Sequence, residues 1–158
     1  KERPLTMYTY LPAFGGAAEA ALAALEASQG GASIAAPDGF SLEALAARTV
    51  KGLKTHASTF AYFKPRAALA EGTLLWLRGK EGAARKRWHR AAELADGLGL
   101  PYERALVELE RARRCAGAEA LDAATAARRL LEELGAGGDL ARLDALVGAS
   151  EDGAARTA

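Results

Sequence analysis

A stretch of the chain repeats itself at an interval of 36 residues. When the sequence is shifted by that interval, small residues fall mostly on small residues and leucines on leucines. The matched pairs are Ala84 with Ala120, Trp88 with Ala124, Ala91 with Ala127, Leu94 with Leu130, Leu98 with Leu134 and Gly99 with Gly135. Small residues at this spacing let antiparallel helices approach closely, and stacked helix pairs share one core. The repeat therefore predicts helical hairpins stacked on one another.

The composition favours an all-α fold. Valine and isoleucine, which favour strands, occur at only four of 158 positions, whereas alanine, the best helix former, is the commonest residue. Glycines and prolines separate the apolar, helix-periodic segments. Seven helices are expected, over residues 17–27, 42–63, 66–78, 81–98, 101–115, 119–134 and 140–147. Asp38 or Ser41 is expected to cap the second helix and Asp139 the seventh.

We expect one helical-repeat domain over residues 1–147, of which residues 41–147 are the best supported part. Residues 1–12 are expected to end a preceding helix or to form an ordered lead-in. The small-residue spacing of the repeat recurs at Ala20, Ala24 and Ala27, which suggests a third copy. Residues 148–158 have no apolar period, so they are expected to form a flexible tail.

One hairpin resembles a known family. Gly72, Leu75, Ala84, Trp88 and Ala91 follow one another at intervals of three, nine, four and three residues, which is the skeleton of a tetratricopeptide repeat. The resemblance implies an α-solenoid of antiparallel helical hairpins. The remaining signature positions, Ala120, Ala124 and Ala127, come from the repeat interval.

More narrowly, residues 64–113 and 126–143 resemble the carboxy-terminal helical repeats of large bacterial signalling proteins. In those proteins the repeats follow a STAND-type ATPase module coupled to a serine/threonine kinase, a nucleotide cyclase or a DNA-binding output. The resemblance covers roughly residues 41–147 and implies a sensor or scaffold arm. Because the catalytic motifs of that family lie in other domains, it implies no catalytic residue here.

The residues themselves favour no enzyme. The sequence has no glycine-rich phosphate loop, no GxGxxG, no HExxH, no paired CxxC and no GxSxG. His89 is expected to be a surface or boundary residue at the hairpin edge. His56 has no nucleophile or orienting carboxylate adjacent to it in sequence, so it is expected to be structural. Cys115, the only cysteine, is also expected to be structural, although Arg113 and Arg114 beside it favour a lowered thiol pKa. We predict no catalytic residue, no metal site and no cofactor.

Charge and hydropathy suggest where the protein works. The formal net charge is +1, which gives no general attraction to nucleic acid or to an anionic membrane. No apolar run approaches the roughly 20 residues of a membrane span. A lone cysteine fits a reducing compartment. We therefore expect a cytoplasmic protein that does not enter membranes.

One helix carries a basic patch, formed by Arg85, Lys86, Arg87 and Arg90. It can bind phosphates or an acidic partner domain, but a solvated helix face is the favoured interpretation. In that case acidic neighbours would pair with the patch, namely Glu93, Glu103, Glu108 and Glu110. Reading adenine would want Asn or Gln, and this helix has neither, so nucleic acid is the less favoured partner.

The aromatic residues around the junction of the second and third helices are expected to be mostly core, with one or two lining a peptide groove. They are Phe60, Tyr62, Phe63 and Trp76.

The leading hypothesis is a non-catalytic module that binds a protein partner or a neighbouring domain of its own chain. A structural spacer restraining an adjacent ATPase, kinase or cyclase is the first alternative, and a fragment of a nucleic-acid-associated regulator the second. The sequence does not specify an oligomeric state.

Overall fold

A computed structural model describes the backbone of residues 6–37 and 39–157, and the side chains of residues 15–37 and 39–148. Within this part of the chain all regular structure is helical and there is no strand, which confirms the all-α prediction. The chain divides into two compact units, the first ending at Leu94 and the second beginning at Ala95. The prediction of one repeat domain over residues 1–147 stays a prediction.

The first unit is built from α1 (Thr6–Gln29), α2 (Leu42–Thr59), a 3-10 turn (Ala61–Phe63), α3 (Lys64–Leu77) and most of α4 (Glu81–Gly97). Helix α1 packs against both α2 and α3, and α2 packs against α3. The core between them is mostly alanine and leucine, because small residues let the helices approach and leucines fill the remaining space. Its larger members are Leu22, Leu25, Val50, Leu53, Phe63 and Leu74.

Ser41 caps α2, as predicted: its side chain accepts a hydrogen bond from the Ala44 amide at 3.1 Å. The alternative cap, Asp38, lies outside the described residues. Helix α2 ends at Thr59 rather than continuing to residue 63, because Phe60 is extended and the chain then turns through the 3-10 segment. Pro65 lies in the first turn of α3, where no helical hydrogen bond needs its missing N–H.

The second unit contains α5 (Pro101–Arg114), α6 (Gly117–Glu133) and α7 (Gly137–Thr157), with α5 packed against α6 and α6 against α7. Helices α4 and α6 have the same length, 17 residues, and α6 begins 36 residues after α4. Gly99 and Gly135 follow them with positive φ angles of 63° and 65°. The next amide bonds back to the helix in both places, from Leu100 to Ala95 and from Ala136 to Leu131, each at 2.9 Å. The repeat interval is thus a structural interval as well.

A chain of ion pairs runs through the second unit. The carboxylate of Glu108 is only 2 % exposed and pairs with Arg104 and, at 3.0 Å, with Arg111. Arg104 also meets Asp96 at 3.2 Å, and Arg111 meets Glu119 of α6 at 3.3 Å. Burial lowers the pKa of the Arg104 guanidinium, but the hydrogen bonds and charges of Glu108 and Asp96 outweigh burial and raise it. The buried charge is therefore fully compensated.

Further predictions about helix boundaries and buried faces are wrong. Helix α1 begins at Thr6, not at residue 17, and α7 runs from Gly137 to Thr157 instead of over 140–147. Asp139 consequently lies inside the first turn of α7 rather than at its cap. Ala20 and Ala27 are exposed and Ala24 is half-buried, because the buried face of α1 passes through Ala18, Ala21, Leu22 and Leu25. The supposed third copy of the repeat is thus not a core stripe. Of the predicted lead-in, residues 1–5 lie outside the described part.

Candidate protein-binding groove

The tetratricopeptide-like signature residues meet where α3 packs on α4. Ala84, Trp88 and Ala91 are fully buried, Gly72 is buried and Leu75 is half-buried. A Cβ atom on Gly72 would lie 2.5 Å from Cδ1 and Nε1 of Trp88, so only glycine lets the indole lie against this helix. The ring of Trp76 lies 5.4 Å from that of Trp88, between centroids. These two neighbours of Trp88, Gly72 and Trp76, both lie on α3, the other helix of its hairpin.

The second copy of the signature is placed differently. The buried face of α6 passes through Ala123, Ala127 and Leu131. Ala127 belongs to that face, whereas Ala120 and Ala124 are only half-buried. With alanine in place of tryptophan at position 124, no large side chain draws that position into the core.

Three of the four residues of the predicted basic patch contact other side chains. The guanidinium carbon of Arg85 lies 5.8 Å from the centre of the Trp76 ring, a cation–π arrangement. Arg87 pairs with Glu71 of α3 at 3.3 Å. Arg90 pairs at 2.8 Å with Glu93 of its own helix. Lys86 is exposed. A binding role for the patch stays a prediction.

Of the acidic partners expected for the patch, Glu93 takes that role. His89 also approaches it, with Nε2 3.3 Å from Oε1. The hydrogen bond from Arg90 lowers the pKa of Glu93 below its ordinary value; burial opposes this effect, and the nearby charges of His89 and Arg90 add to it. Glu108 and Glu110 instead pair with arginines of α5 itself.

An open groove lies between α2 and α3. Its volume is about 470 Å³, within the range of roughly 300–1,000 Å³ that is typical of ligand sites. The floor is apolar and the walls are polar. The floor consists of Ala47, Val50, Leu74 and Leu75, and the walls of Lys51, Lys54, Thr55, Ser58, Glu71 and Arg78. This groove was not predicted from the sequence, because its two sides lie on different helices.

Glu71 lies at the centre of the charges around the groove. One of its carboxylate oxygens accepts from Lys54 Nζ at 2.6 Å and the other is 3.3 Å from Arg87 Nε. Arg78 is held by Glu43 at 2.7 Å. Lys51 is exposed, and its ammonium has no ion-pair partner among the described residues. The groove itself is lined by three cations, Lys51, Lys54 and Arg78, and by the one carboxylate of Glu71, which leaves a surplus of positive charge along it.

The aromatic group is only partly core. Phe63 is buried and Trp76 is half-buried, whereas Phe60 and Tyr62 are 36 % and 48 % exposed. The prediction that most of the group is buried is thus wrong for the two residues on the α2–α3 connection. Neither lines the groove.

The two histidines and the cysteine differ in exposure, and their roles stay a prediction. His56 is half-buried, with Nδ1 3.1 Å from the Gly52 carbonyl. His89 is exposed and Cys115 half-buried. In the part of the chain that the structure describes, no group of three His, Cys, Asp or Glu side chains is placed to hold a metal ion. None of its helices has the length and apolar character of a membrane span.

Comparisons with protein-family models, with curated proteins and with solved structures found no match to this chain. Its function must therefore be inferred from the groove and its charges.

Proposed function

We propose that the chain is a non-catalytic interaction or regulatory module, a tetratricopeptide-like stack of helical hairpins. It binds a segment of a protein partner, or of a neighbouring domain, in the groove between α2 and α3. The observation that carries the proposal is the groove itself, with its apolar floor between charged and hydroxyl-bearing walls. The resemblance to bacterial signalling proteins supports a regulatory role in the cytoplasm.

Two features of the groove suit a peptide segment. An apolar centre with a polar rim is the usual anatomy of protein interfaces, because buried apolar contact stabilises the complex while the rim sets orientation. Parallel walls formed by two helices also accept an elongated ligand, which can place an apolar side chain on the floor and its polar neighbours on the walls. A deep, enclosed site with convergent titratable groups would instead favour catalysis.

The hairpin of α3 and α4 supports the solenoid part of the proposal. The contact of Gly72 with Trp88 joins the first and second helices of the signature hairpin at close range. Helix α1 also packs on α3, so the contacts of α3 extend beyond its neighbours in sequence. Contacts of that kind are expected where one helix pair stacks on another.

The test is affinity capture from extracts of the source cell with two matched variants. Thr55 lines the groove and Thr125 lies on α6; both are exposed, and each hydroxyl donates to the carbonyl four residues earlier, Lys51 or Leu121. Thr55→Trp should block the groove and abolish capture of partners that the wild-type chain retains. Thr125→Trp should leave capture unchanged.

Capture that survives Thr55→Trp would show that the groove is not the binding site. If the wild-type chain retains nothing specifically, the interaction function is wrong and the structural-spacer alternative gains support. Circular dichroism of both variants establishes that the folds are equal.

A further inference from the structure

We infer that the partner segment is acidic, with Asp or Glu side chains on both sides of an aliphatic anchor. This inference rests on the proposed function and names the chemistry of the same groove. It depends on how the charges around the groove are paired.

The groove offers cations that its own carboxylates do not neutralise. Lys54 and Arg87 share the single carboxylate of Glu71, and Lys51 has no ion-pair partner among the described residues. Of the three cations that line the groove, Arg78 is the only one with a carboxylate of its own, Glu43. An entering carboxylate therefore meets an attractive potential, whereas an entering ammonium meets repulsion.

The walls have few hydrogen-bond donors besides these cations. The hydroxyls of Thr55 and Ser58 donate to carbonyls of their own helix, at 3.1 and 2.6 Å, so they face the groove as acceptors. The donors for a ligand are then the ammonium groups of Lys51 and Lys54 and the guanidinium group of Arg78. Such donors form their strongest hydrogen bonds with carboxylates.

The floor determines the anchor. Val50 and Leu74 are almost fully buried, and Leu75 and Ala47 are half-buried beside them. An aliphatic floor without an aromatic ring gives no stacking platform, so an aliphatic side chain fits better than a ring or a base. Nucleic acid has the right charge sign, but Glu71 in the groove would repel a continuous phosphate backbone. A peptide, in which charges and apolar groups alternate, suits this arrangement better.

The experiment is selection of a displayed library of random peptides on the intact chain. The selected peptides are expected to be enriched in Asp and Glu around Leu, Ile or Val and depleted in Lys and Arg. Binding of the best selected peptide should weaken about tenfold in the double variant Lys51→Gln/Lys54→Gln, since each exposed ion pair contributes a few-fold. It should also weaken as salt is raised.

Lys86→Gln is the matched control, because it removes the same charge from an exposed helical position that does not line the groove. It should leave peptide affinity unchanged. Enrichment of basic or uncharged peptides, or equal losses in Lys86→Gln and in the groove variant, would overturn the inference.

Other occupants give distinct results. Self-association that the groove variant abolishes would identify a second copy as the occupant, and tighter binding of duplex DNA than of the peptide would identify nucleic acid. Either result would overturn the acidic peptide. If Thr55→Trp abolishes capture of a cellular partner while no acidic peptide is selected, the proposed function stands and only this inference fails.

Discussion

At the scale of single residues, the contact of Gly72 with Trp88 is the tightest sequence requirement in the first unit. The indole is fully buried and lies where a side chain on residue 72 would have to be. Its Nε1 has no hydrogen-bond partner among the described residues, so packing contacts and not a hydrogen bond hold the ring in place. The intervals of the signature thus place a glycine against the indole ring, where any larger residue would clash.

Replacing Gly72 with Ala should therefore destabilise the protein, by about 1–3 kcal/mol for overpacking against a rigid ring. Gly52→Ala is the control, because Gly52 lies inside α2 and a Cβ atom added there would have nothing within 4 Å. It should stabilise the helix by about 0.5–1 kcal/mol. Urea denaturation of the two variants measures both changes, and a stabilising Gly72→Ala would show that Trp88 can move aside.

Glu93 gives a prediction about pH. The hydrogen bond from Arg90 lowers its pKa below the ordinary value in the folded state. The corresponding stabilisation is therefore present above the unfolded-state pKa and is lost as the pH falls through the folded-state pKa. Arg90→Gln should raise the midpoint of Glu93 in an NMR titration, whereas Lys86→Gln, which removes a charge without that hydrogen bond, should not. Equal midpoints in the wild type and in Arg90→Gln would contradict the assignment.

At the scale of elements, α5 carries a network of ion pairs around one buried carboxylate. It buries Glu108 between Arg104 and Arg111, and these arginines reach Asp96 and Glu119 on either side. A buried carboxylate costs free energy unless such partners surround it. The same network orients α5 against α6.

Glu108→Ala should cost about 2–3 kcal/mol of unfolding free energy, at the lower end for a broken buried pair because both arginines can turn partly toward water. Glu133→Ala removes the same group from a pair with Arg129 that has the same spacing but is exposed on both sides. It should change stability by less than about 0.5 kcal/mol. Thermal and urea unfolding compare the two, and equal effects would mean that burial adds nothing to the Glu108 network.

At the scale of the whole molecule, positive and negative charges nearly cancel, but they are distributed unevenly. The net charge is +1. The basic residues of α4 are largely engaged, Arg85 on an aromatic ring and Arg87 and Arg90 with carboxylates. A local surplus of positive charge lies along the groove between α2 and α3.

We therefore expect no measurable affinity for duplex DNA near neutral pH in a polarisation titration at low salt. A protein that binds DNA through several phosphate contacts loses affinity steeply as salt rises, because counterions are released. A steep decline of this kind from a measurable affinity would contradict the prediction and revive the nucleic-acid alternative.

Local chemistry explains where prediction from the sequence works. Helix α4 is predicted over residues 81–98 and found over Glu81–Gly97; α5 is predicted over 101–115 and found over Pro101–Arg114. Glycine and proline act within a turn of their own position, so they mark these ends without any tertiary contact. The break at Phe60 has no such local signal, and the sequence pattern continued the helix through it.

The all-helical class and the 36-residue interval followed from the sequence alone, because periodicity and small-residue spacing are local properties. Only the tertiary structure decided which charges pair and which apolar residues stay exposed. Glu71 joins Lys54 and Arg87, 17 and 16 residues away, and Phe60 and Tyr62 remain at the surface. Such outcomes depend on how helices that are distant in sequence pack against one another. The groove likewise forms only where two helices lie side by side.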